Sequence, residues 1–149
     1  MKIEDIIKAK FKNEHHKAIV NIRYTSNWIG AFHNKQLAEF DLSLPQFNIL
    51  RILRGANEPL SIKIVKQRML EKSPNTTRLI DKLISKEMVD RSRCSDDRRV
   101  VNIEITKKGL KLLSDIDHVF DEMSLAENLS QEEASMLNVL LNKLRGKEN

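Results

Sequence analysis

Residues 73–83 read S-P-N-T-T-R-L-I-D-K-L, which is typical of a short, capped helix with one apolar face. Ser73 is a good N-cap, and Pro74 suits the first helical position because its missing N–H has no partner there in any case. The apolar residues that recur at helical spacing are Leu79, Ile80, Leu83, Ile84 and Met88. The pattern predicts a helix that starts at Pro74, buries one face and exposes the other.

A second short helix is predicted directly upstream. Ser61 is its candidate N-cap, and its apolar residues are Ile62, Ile64, Val65 and Met69. Two short helices joined by a tight turn indicate a helix-turn-helix. Before them, Ser43 and Gln46 have the spacing of a capping box, with Leu42 and Phe47 at the staple positions. This third helix should end near Asn57.

After residue 88 the apolar period changes from helical to alternating. Val101, Ile103 and Ile105 alternate with polar residues, which indicates a half-buried strand. We expect it to pair with residues 89–94 through the turn-forming cluster at 95–98. A hairpin that follows a helix-turn-helix predicts a winged helix-turn-helix in which the hairpin is the wing.

Longer helices are predicted on both sides of this lobe. Apolar residues recur at helical spacing over about 3–32, as one long helix or two in line. Downstream, one helix with Thr106 as its N-cap is expected to run to about residue 127, and the last begins at Ser130, with Glu133 completing a capping box. The N-terminal helix is longer than a small domain needs for its own core, so we expect it to pack against another subunit.

The composition fits a single, mainly helical globular domain. The 149 residues are 40% hydrophobic and 32% charged, with only four Gly and three Pro. Cys94 is the only cysteine, so an internal disulfide is excluded. The sequence contains neither an apolar run that could span a membrane nor the pattern of a signal peptide, and we expect a cytoplasmic protein.

The positive charge is concentrated in the middle of the chain. The net charge is +5, and residues 61–108 hold thirteen Lys and Arg against seven Asp and Glu, whereas the rest holds thirteen against fourteen. A local basic surface attracts polyanions, nucleic acid above all. Taken alone, the excess is equally consistent with a solvated basic face.

The helix predicted at 74–88 carries groups that can read DNA. Asn can bond to the edge of adenine, Arg to that of guanine, and a Thr methyl can contact the thymine methyl. The candidates for the major groove are Asn75, Thr76, Thr77, Arg78 and Lys82. The alternative is a helix whose polar residues are merely exposed and whose Ser73 is only a cap.

The predicted wing carries four arginines. Arg91 and Arg93 lie on its first strand, and Arg98 and Arg99 lie at its tip. An arginine on a hairpin tip can enter a narrow A·T-rich minor groove, where the potential is most negative. Asp97 can brace the guanidinium of Arg99 in a bidentate pair. The alternative is a charged turn that keeps an edge strand soluble.

These motifs resemble the MarR family of winged-helix regulators. The family's L-T/S-x-x-Q-F/W-x-x-L matches L-S-L-P-Q-F-N-I-L at 42–50, and its recognition-helix pattern matches residues 73–83. Its wing signature, Asp-x-Arg followed by L/I-T-x-x-G, matches residues 97–99 and 105–109. The motifs cover about half of the chain, and the flanking helices agree in order and length only.

The resemblance implies a sequence-specific, double-stranded DNA-binding regulator, more often a repressor than an activator. It implies one domain over 1–149, with dimerisation helices at about 1–35 and 110–149 and a winged-helix lobe at about 42–109. Recognition helices of a homodimer would enter successive major grooves of a near-palindromic operator. Arg99, braced by Asp97, would enter the minor groove. The expected phosphate contacts are Ser61, Lys63, Ser73, Arg91, Arg93 and Arg98.

The sequence departs from the family pattern at two turns. Where many members have Gly after the recognition helix, this chain has Glu87, so it must turn there without glycine's freedom at positive φ. The turn between the two short helices, at 70–72, also lacks Gly. Neither departure removes a group that contacts DNA.

Many relatives bind small anionic aromatics between the dimer helices and the DNA-binding lobe. The residues that could line such a pocket here are Arg23, Trp28, Phe32, His33 and Phe47. Plain interface packing is the alternative for these residues.

Other sites are less well supported by the sequence. Cys94 lies among the wing arginines, whose field could lower its pKa, so a redox-responsive regulator is an alternative to a bystander thiol. His15 and His16 are adjacent and point about 100° apart on a helix, so we predict no metal site and no cofactor. No catalytic pattern appears, so we expect no enzyme. A winged-helix protein-interaction module without DNA binding remains the alternative function.

Overall fold

The computed structural model describes residues 2–8, 10–70, 74–93, 101–121 and 123–146. Most of these residues are helical, and a small antiparallel sheet of three strands completes the fold, which confirms the predicted fold class. The elements are α1 (Ile3–Ile7), α2 (Glu14–Ala38), α3 (Leu44–Ala56), β1 (Leu60–Ser61), α4 (Ile62–Arg68), α5 (Thr76–Ser85), β2 (Val89–Arg93), β3 (Val101–Ile105), α6 (Lys107–Asp117), a 3₁₀ turn (Met123–Ala126) and α7 (Gln131–Arg145).

The predicted caps of three helices are confirmed. At α3 the Ser43 hydroxyl accepts from the Gln46 N–H, and the Gln46 side chain accepts from the Ser43 N–H at 3.1 Å. The same reciprocal pair joins Ser130 and Glu133 at α7. At α6 the Thr106 hydroxyl accepts from the amide of the third helical residue. These caps satisfy backbone N–H groups that have no partner inside their helices.

The core lies in the lobe formed by α3 to α6 and the sheet. Its fully buried side chains come from every one of these elements except β1, whose Leu60 is 3% exposed. They are Phe47, Ile49, Leu50, Leu53, Val65, Ile80, Leu83, Val89, Ile103, Leu113 and Ile116. The helical and alternating apolar patterns of the sequence therefore meet in one cluster, which fixes α5 on the lobe.

The wing pairs as predicted, and the sheet has one strand more than predicted. β2 and β3 pair antiparallel from Val89 opposite Ile105 to Arg93 opposite Val101. β1 pairs with the other edge of β3 and was missed because two residues are too few for a periodic pattern. Ser61 ends β1 and also caps α4, since its hydroxyl accepts from the Ile64 N–H at 3.3 Å.

The prediction of one N-terminal helix, or two in line, is wrong in its geometry. α1 ends at Lys8, which adopts a left-handed conformation with φ 52°. Glu4 then bonds to Lys17, whereas thirteen residues in line would separate them by about 20 Å. Asn13 caps α2, since its side chain accepts from the His16 N–H at 2.9 Å. The chain therefore folds back so that α1 lies against α2.

Two helix ends also differ from prediction. α2 continues to Ala38 rather than ending near residue 32. α6 ends at Asp117, ten residues before the predicted end, and the short 3₁₀ segment at Met123–Ala126 lies where the prediction continued the helix. Apolar residues beyond Asp117 keep a helical spacing, which explains the error. In the part of the chain that the structure describes, no helix has the length and apolarity to cross a membrane.

Candidate nucleic-acid interface

The helix α5 separates its side chains cleanly into two faces. Ile80 and Leu83 are fully buried in the lobe core. The exposed side chains are Thr77, Arg78, Asp81, Lys82 and Ser85. At about 100° per residue these five positions cover an arc of about 140°. Asn75, just before the first turn, is also exposed, so most of the predicted groove-reading residues share one surface.

Thr76 does not belong to this surface, and its predicted contact with the major groove is wrong. The side chain is only 1% exposed, and its hydroxyl donates to the Met69 sulfur at 3.6 Å. Thr76 lies four residues before Ile80, on the same buried side of the helix. Pattern reasoning failed here because a threonine suits either face of the first turn.

The start of α5 also differs from the prediction. The helix begins at Thr76, and Pro74 and Asn75 form the turn before it. Pro74 is therefore not the first helical residue. Asn75 occupies the N-cap position, so the predicted N-cap role of Ser73 is wrong. Ser73 itself lies outside the described residues, and its phosphate contact stays a prediction.

The end of α5 turns into β2 through a left-handed residue. Glu87, the position where the family pattern has glycine, has φ 60°. Its N–H donates to the Ile84 carbonyl at 2.8 Å, and the Met88 N–H donates to the Leu83 carbonyl at 3.0 Å. These two bonds form a Schellman motif, which most often places glycine at the left-handed position. The predicted turn without glycine is confirmed.

Two ionic contacts hold α5 in place. The Lys86 ammonium donates to the backbone carbonyl of Asp41 at 2.6 Å and to its carboxylate at 2.7 Å, which joins the end of α5 to the turn after α2. The hydrogen bond from Lys86 to the carboxylate lowers the pKa of the Asp41 carboxyl. At the wing side, Arg91 Nη2 donates to Asp81 Oδ1 at 2.6 Å.

Asp81 was missed at the sequence level, and its partner Arg91 was assigned to phosphate. Both side chains are about half exposed, Arg91 at 43% and Asp81 at 55%. The pair joins the exposed face of α5 to the first strand of the wing. An acidic residue in the middle of an otherwise polar and cationic stripe was the signal that could have revealed it.

The other predicted phosphate and wing contacts fall into two groups. Lys63 is exposed on α4, and Ser61 is half-buried with its hydroxyl engaged in the α4 cap. The wing tip with Cys94, Asp97, Arg98 and Arg99, and the side chain of Arg93, lie outside the described residues. Their assigned roles stay predictions.

The five residues proposed for an effector pocket differ in their burial and surroundings. Phe47 is a core residue, 2% exposed, and its place in a pocket wall is wrong. Its ring packs on Phe120, which in turn packs on His33, with centroids 5.0 and 5.1 Å apart. His33 also contacts Phe32, whereas Trp28 is 48% exposed. Arg23 is likewise exposed.

Among the described residues, no group of three or more His, Cys, Asp and Glu could hold a metal ion. His15 and His16 are both exposed at the start of α2. The Nδ1 of His16 accepts from the Lys12 backbone N–H at 3.2 Å, and its ring packs on Phe11. His16 is thus used to hold the turn that precedes α2.

The buried inner face of α5, its polar and cationic outer face and the adjoining hairpin define a class of protein. The chain is a winged helix-turn-helix, DNA-binding transcription regulator. Residues 31–116 match the family described as transcriptional regulator SarA/Rot. The chain belongs to this family, whose winged helix is of the MarR type.

Individual relatives agree with this assignment. The HTH-type transcriptional regulator MhqR of Bacillus subtilis is 32% identical over 114 residues, 74% of this chain and 77% of its own length. The HTH-type transcriptional regulator MgrA of Staphylococcus aureus is 28% identical over 113 residues, 76% of each chain. Such proteins are regulators rather than enzymes, as expected for this chain.

A solved structure supports the fold. A cysteine-to-serine mutant of MarR from E. coli, complexed with operator DNA, aligns with a TM-score of 0.79 and 24% identity. The alignment covers 91% of this chain and 99% of that one. The resemblance inferred from the helix-start, recognition-helix and wing motifs is therefore confirmed for the fold and the family.

Proposed function

We propose that the chain binds a near-palindromic double-stranded operator as a homodimer and represses transcription from it. The outer face of α5 is the observation that carries this proposal. A helix fixed by a buried face can present its other side chains at constant positions, which base recognition requires. The MarR structure that shares this fold is itself complexed with operator DNA.

The roles of the individual residues follow from exposure. Asn75, Thr77, Arg78 and Lys82 contact base edges in the major groove, and Arg78 is the strongest candidate because arginine pairs with guanine in a bidentate way. Phosphates are contacted by Ser61, Lys63, Ser73, Arg93 and Arg98. Arg99 enters the minor groove with Asp97 as its brace. Arg91 is not assigned a phosphate here, because its guanidinium donates a hydrogen bond to the Asp81 carboxylate.

The homodimer is supported by the terminal helices. α7 carries a row of exposed apolar side chains at helical spacing: Met136, Leu137, Leu140 and Leu144. On α2, Ile19, Ile22, Tyr24 and Trp28 are also exposed. A second copy that covers these faces would place two recognition helices on successive major grooves, about 34 Å apart.

We further infer that a small aromatic or anionic effector binds near α2, next to Arg23, Trp28, Phe32 and His33. Binding there would change the separation of the two recognition helices and lower operator affinity, a coupling of about 1–3 kcal/mol. Since its target is chromosomal DNA, we place the protein in the cytoplasm. The whole chain acts as one domain, with a central lobe between its dimerisation helices.

Replacement of Arg78 by Ala tests the assigned face. Operator binding should weaken by about 1–3 kcal/mol, and the preference at one position of each half-site should relax. Selection of bound sequences from randomised duplexes measures the preference, and a salt titration measures the affinity. The matched control is Lys63→Ala, which should weaken all sequences alike and reduce the salt dependence.

An Arg78→Ala profile identical to that of the wild type would overturn the role of Arg78. A wild-type protein without salt-dependent affinity for any duplex, its own promoter region included, would overturn operator binding altogether. That result would favour a winged-helix protein-interaction module.

A further inference from the structure

The outer face of α5 contains an acidic residue that the proposed contacts leave without a role. Asp81 lies inside the exposed arc, about 40° from Thr77 and about 60° from Arg78. Its side chain is 55% exposed, so it reaches the surface that would face the duplex.

An uncompensated carboxylate at this place would oppose binding, because the duplex is a dense array of negative phosphates. Arg91 supplies the compensation, since its Nη2 donates to Asp81 Oδ1 at 2.6 Å from the neighbouring strand β2. The bond uses one carboxylate oxygen. Within the part of the chain that the structure describes, no other hydrogen bond or ion pair engages this carboxylate.

The second oxygen, Oδ2, can therefore accept a hydrogen bond from outside the protein. In the major groove a carboxylate can accept only from an exocyclic amino group, which cytosine and adenine carry. Adenine presents the N7 acceptor beside its amino group, and a carboxylate has no donor to offer N7. Cytosine is therefore the better partner.

We propose that Asp81 is a specificity-determining residue that accepts a hydrogen bond from the N4 amino group of a cytosine. Arg91 is a positioning residue that holds the carboxylate and cancels its charge. The inference rests on the proposed operator binding and adds to it the identity of one base. It also changes the role of Arg91 from phosphate contact to support of base reading.

The test is Asp81→Asn in the full chain, with bound sequences selected from randomised duplexes. Asparagine has nearly the same shape but adds two donors, and it pairs with both N6 and N7 of adenine. One position of each half-site should therefore change its preference from cytosine to adenine, by about fivefold to tenfold. The other positions should keep theirs.

Two further variants separate the roles of the pair. Arg91→Met should lower affinity for all sequences, because it leaves the carboxylate uncompensated, and should blur the cytosine preference. Arg91→Lys keeps a cation at the site and should restore that preference. The matched control is Asp90→Asn, since Asp90 is exposed on the same strand and makes no ion pair among the described residues.

The outcomes can be told apart. A wild-type protein that selects no sequence overturns both operator binding and the role of Asp81. If the wild type selects a site and Asp81→Asn selects the same site, only the role of Asp81 is overturned. Thermal unfolding checks that each variant is folded. Asp81→Ala should lose the cytosine preference without gaining a preference for adenine, and it therefore tests the same position a second time.

Discussion

The central lobe and the terminal helices differ in how much of their apolar surface a single chain buries. In the lobe, α3, α5, β3 and α6 all contribute fully buried side chains to one cluster. In α7, where the structure describes every residue from Gln131 to Arg145, no side chain is buried. In α2, with twenty-five residues, only His33 and Leu37 are buried, and both lie near the lobe.

The contrast indicates that contacts within one chain stabilise the lobe, whereas the terminal helices keep apolar surface that a second molecule could cover. The lobe completes its core from its own sequence, so α5 has a fixed position before any second chain arrives. The terminal helices leave large apolar side chains in water, and contiguous patches of this kind mark interaction surfaces. The outer face of α5 is therefore formed by one chain, whereas the spacing between two such faces would be set by the proposed dimer.

A charge placed on the apolar face of α7 should give the largest effect. Leu140, 55% exposed in a single chain, lies in the middle of that face. Leu140→Glu would bury a carboxylate in the proposed interface and weaken the dimer by at least about a thousandfold, about 4 kcal/mol. Sedimentation over a range of concentrations measures the change.

The control is Asn138→Glu, which adds the same charge to the polar side of α7. It should leave the dimer intact. Should Leu140→Glu sediment as the wild type does, the apolar face of α7 is not the interface, and the division between the two regions must be redrawn.

A methyl group added inside the lobe should give the next largest effect. A Cβ on Gly109 would lie 2.5 Å from the Met88 carbonyl oxygen and 2.8 Å from Ile105 Cγ1. Because the nearest atom belongs to the backbone, Gly109→Ala should lower the free energy of unfolding by about 1–3 kcal/mol. Urea unfolding at one protein concentration measures it, since the proposed dimer would make stability concentration-dependent.

The matched control is Gly55→Ala on α3, where no atom beyond the adjacent residues and the nearby backbone of α3 lies within 4 Å of the added Cβ. Alanine favours a helix more than glycine does, so this variant should be more stable by about 0.5–1 kcal/mol. Equal effects of the two substitutions would mean that the lobe accommodates the added methyl group as easily as an exposed helix surface does.

Local and periodic features of the chain were predictable from the sequence. The Ser43 and Ser130 capping boxes, the alternation of β3 and the apolar stripe of α5 each depend on neighbours a few residues away. The same holds for the fixed spacing between Thr106 and Gly109. Here the close approach of the Met88 carbonyl now explains why the family motif requires glycine.

Features set by tertiary contacts were not predictable. Thr76 is buried because Met69 packs against it. The chain folds back at Lys8, and the ion pair between Glu4 and Lys17 joins the two helices on either side. Arg91 turns to Asp81, ten residues away in sequence, because β2 packs beside α5. Charge counting along the chain cannot tell such a pair from two independent surface groups, which is why Asp81 was missed as the partner of Arg91.

The smallest effect should come from the turn that joins α5 to β2. Glu87 is held at φ 60°, a conformation that is unfavourable for a residue with a Cβ. Glu87→Gly removes that strain but loses the 3.1 Å ion pair with Lys108, whereas Glu87→Ala loses the same pair and keeps the strain. The glycine variant should therefore be more stable than the alanine variant by about 1 kcal/mol, as measured by urea unfolding. If the two variants unfold together, the left-handed turn carries no strain, and the position of the wing relative to α5 does not depend on it.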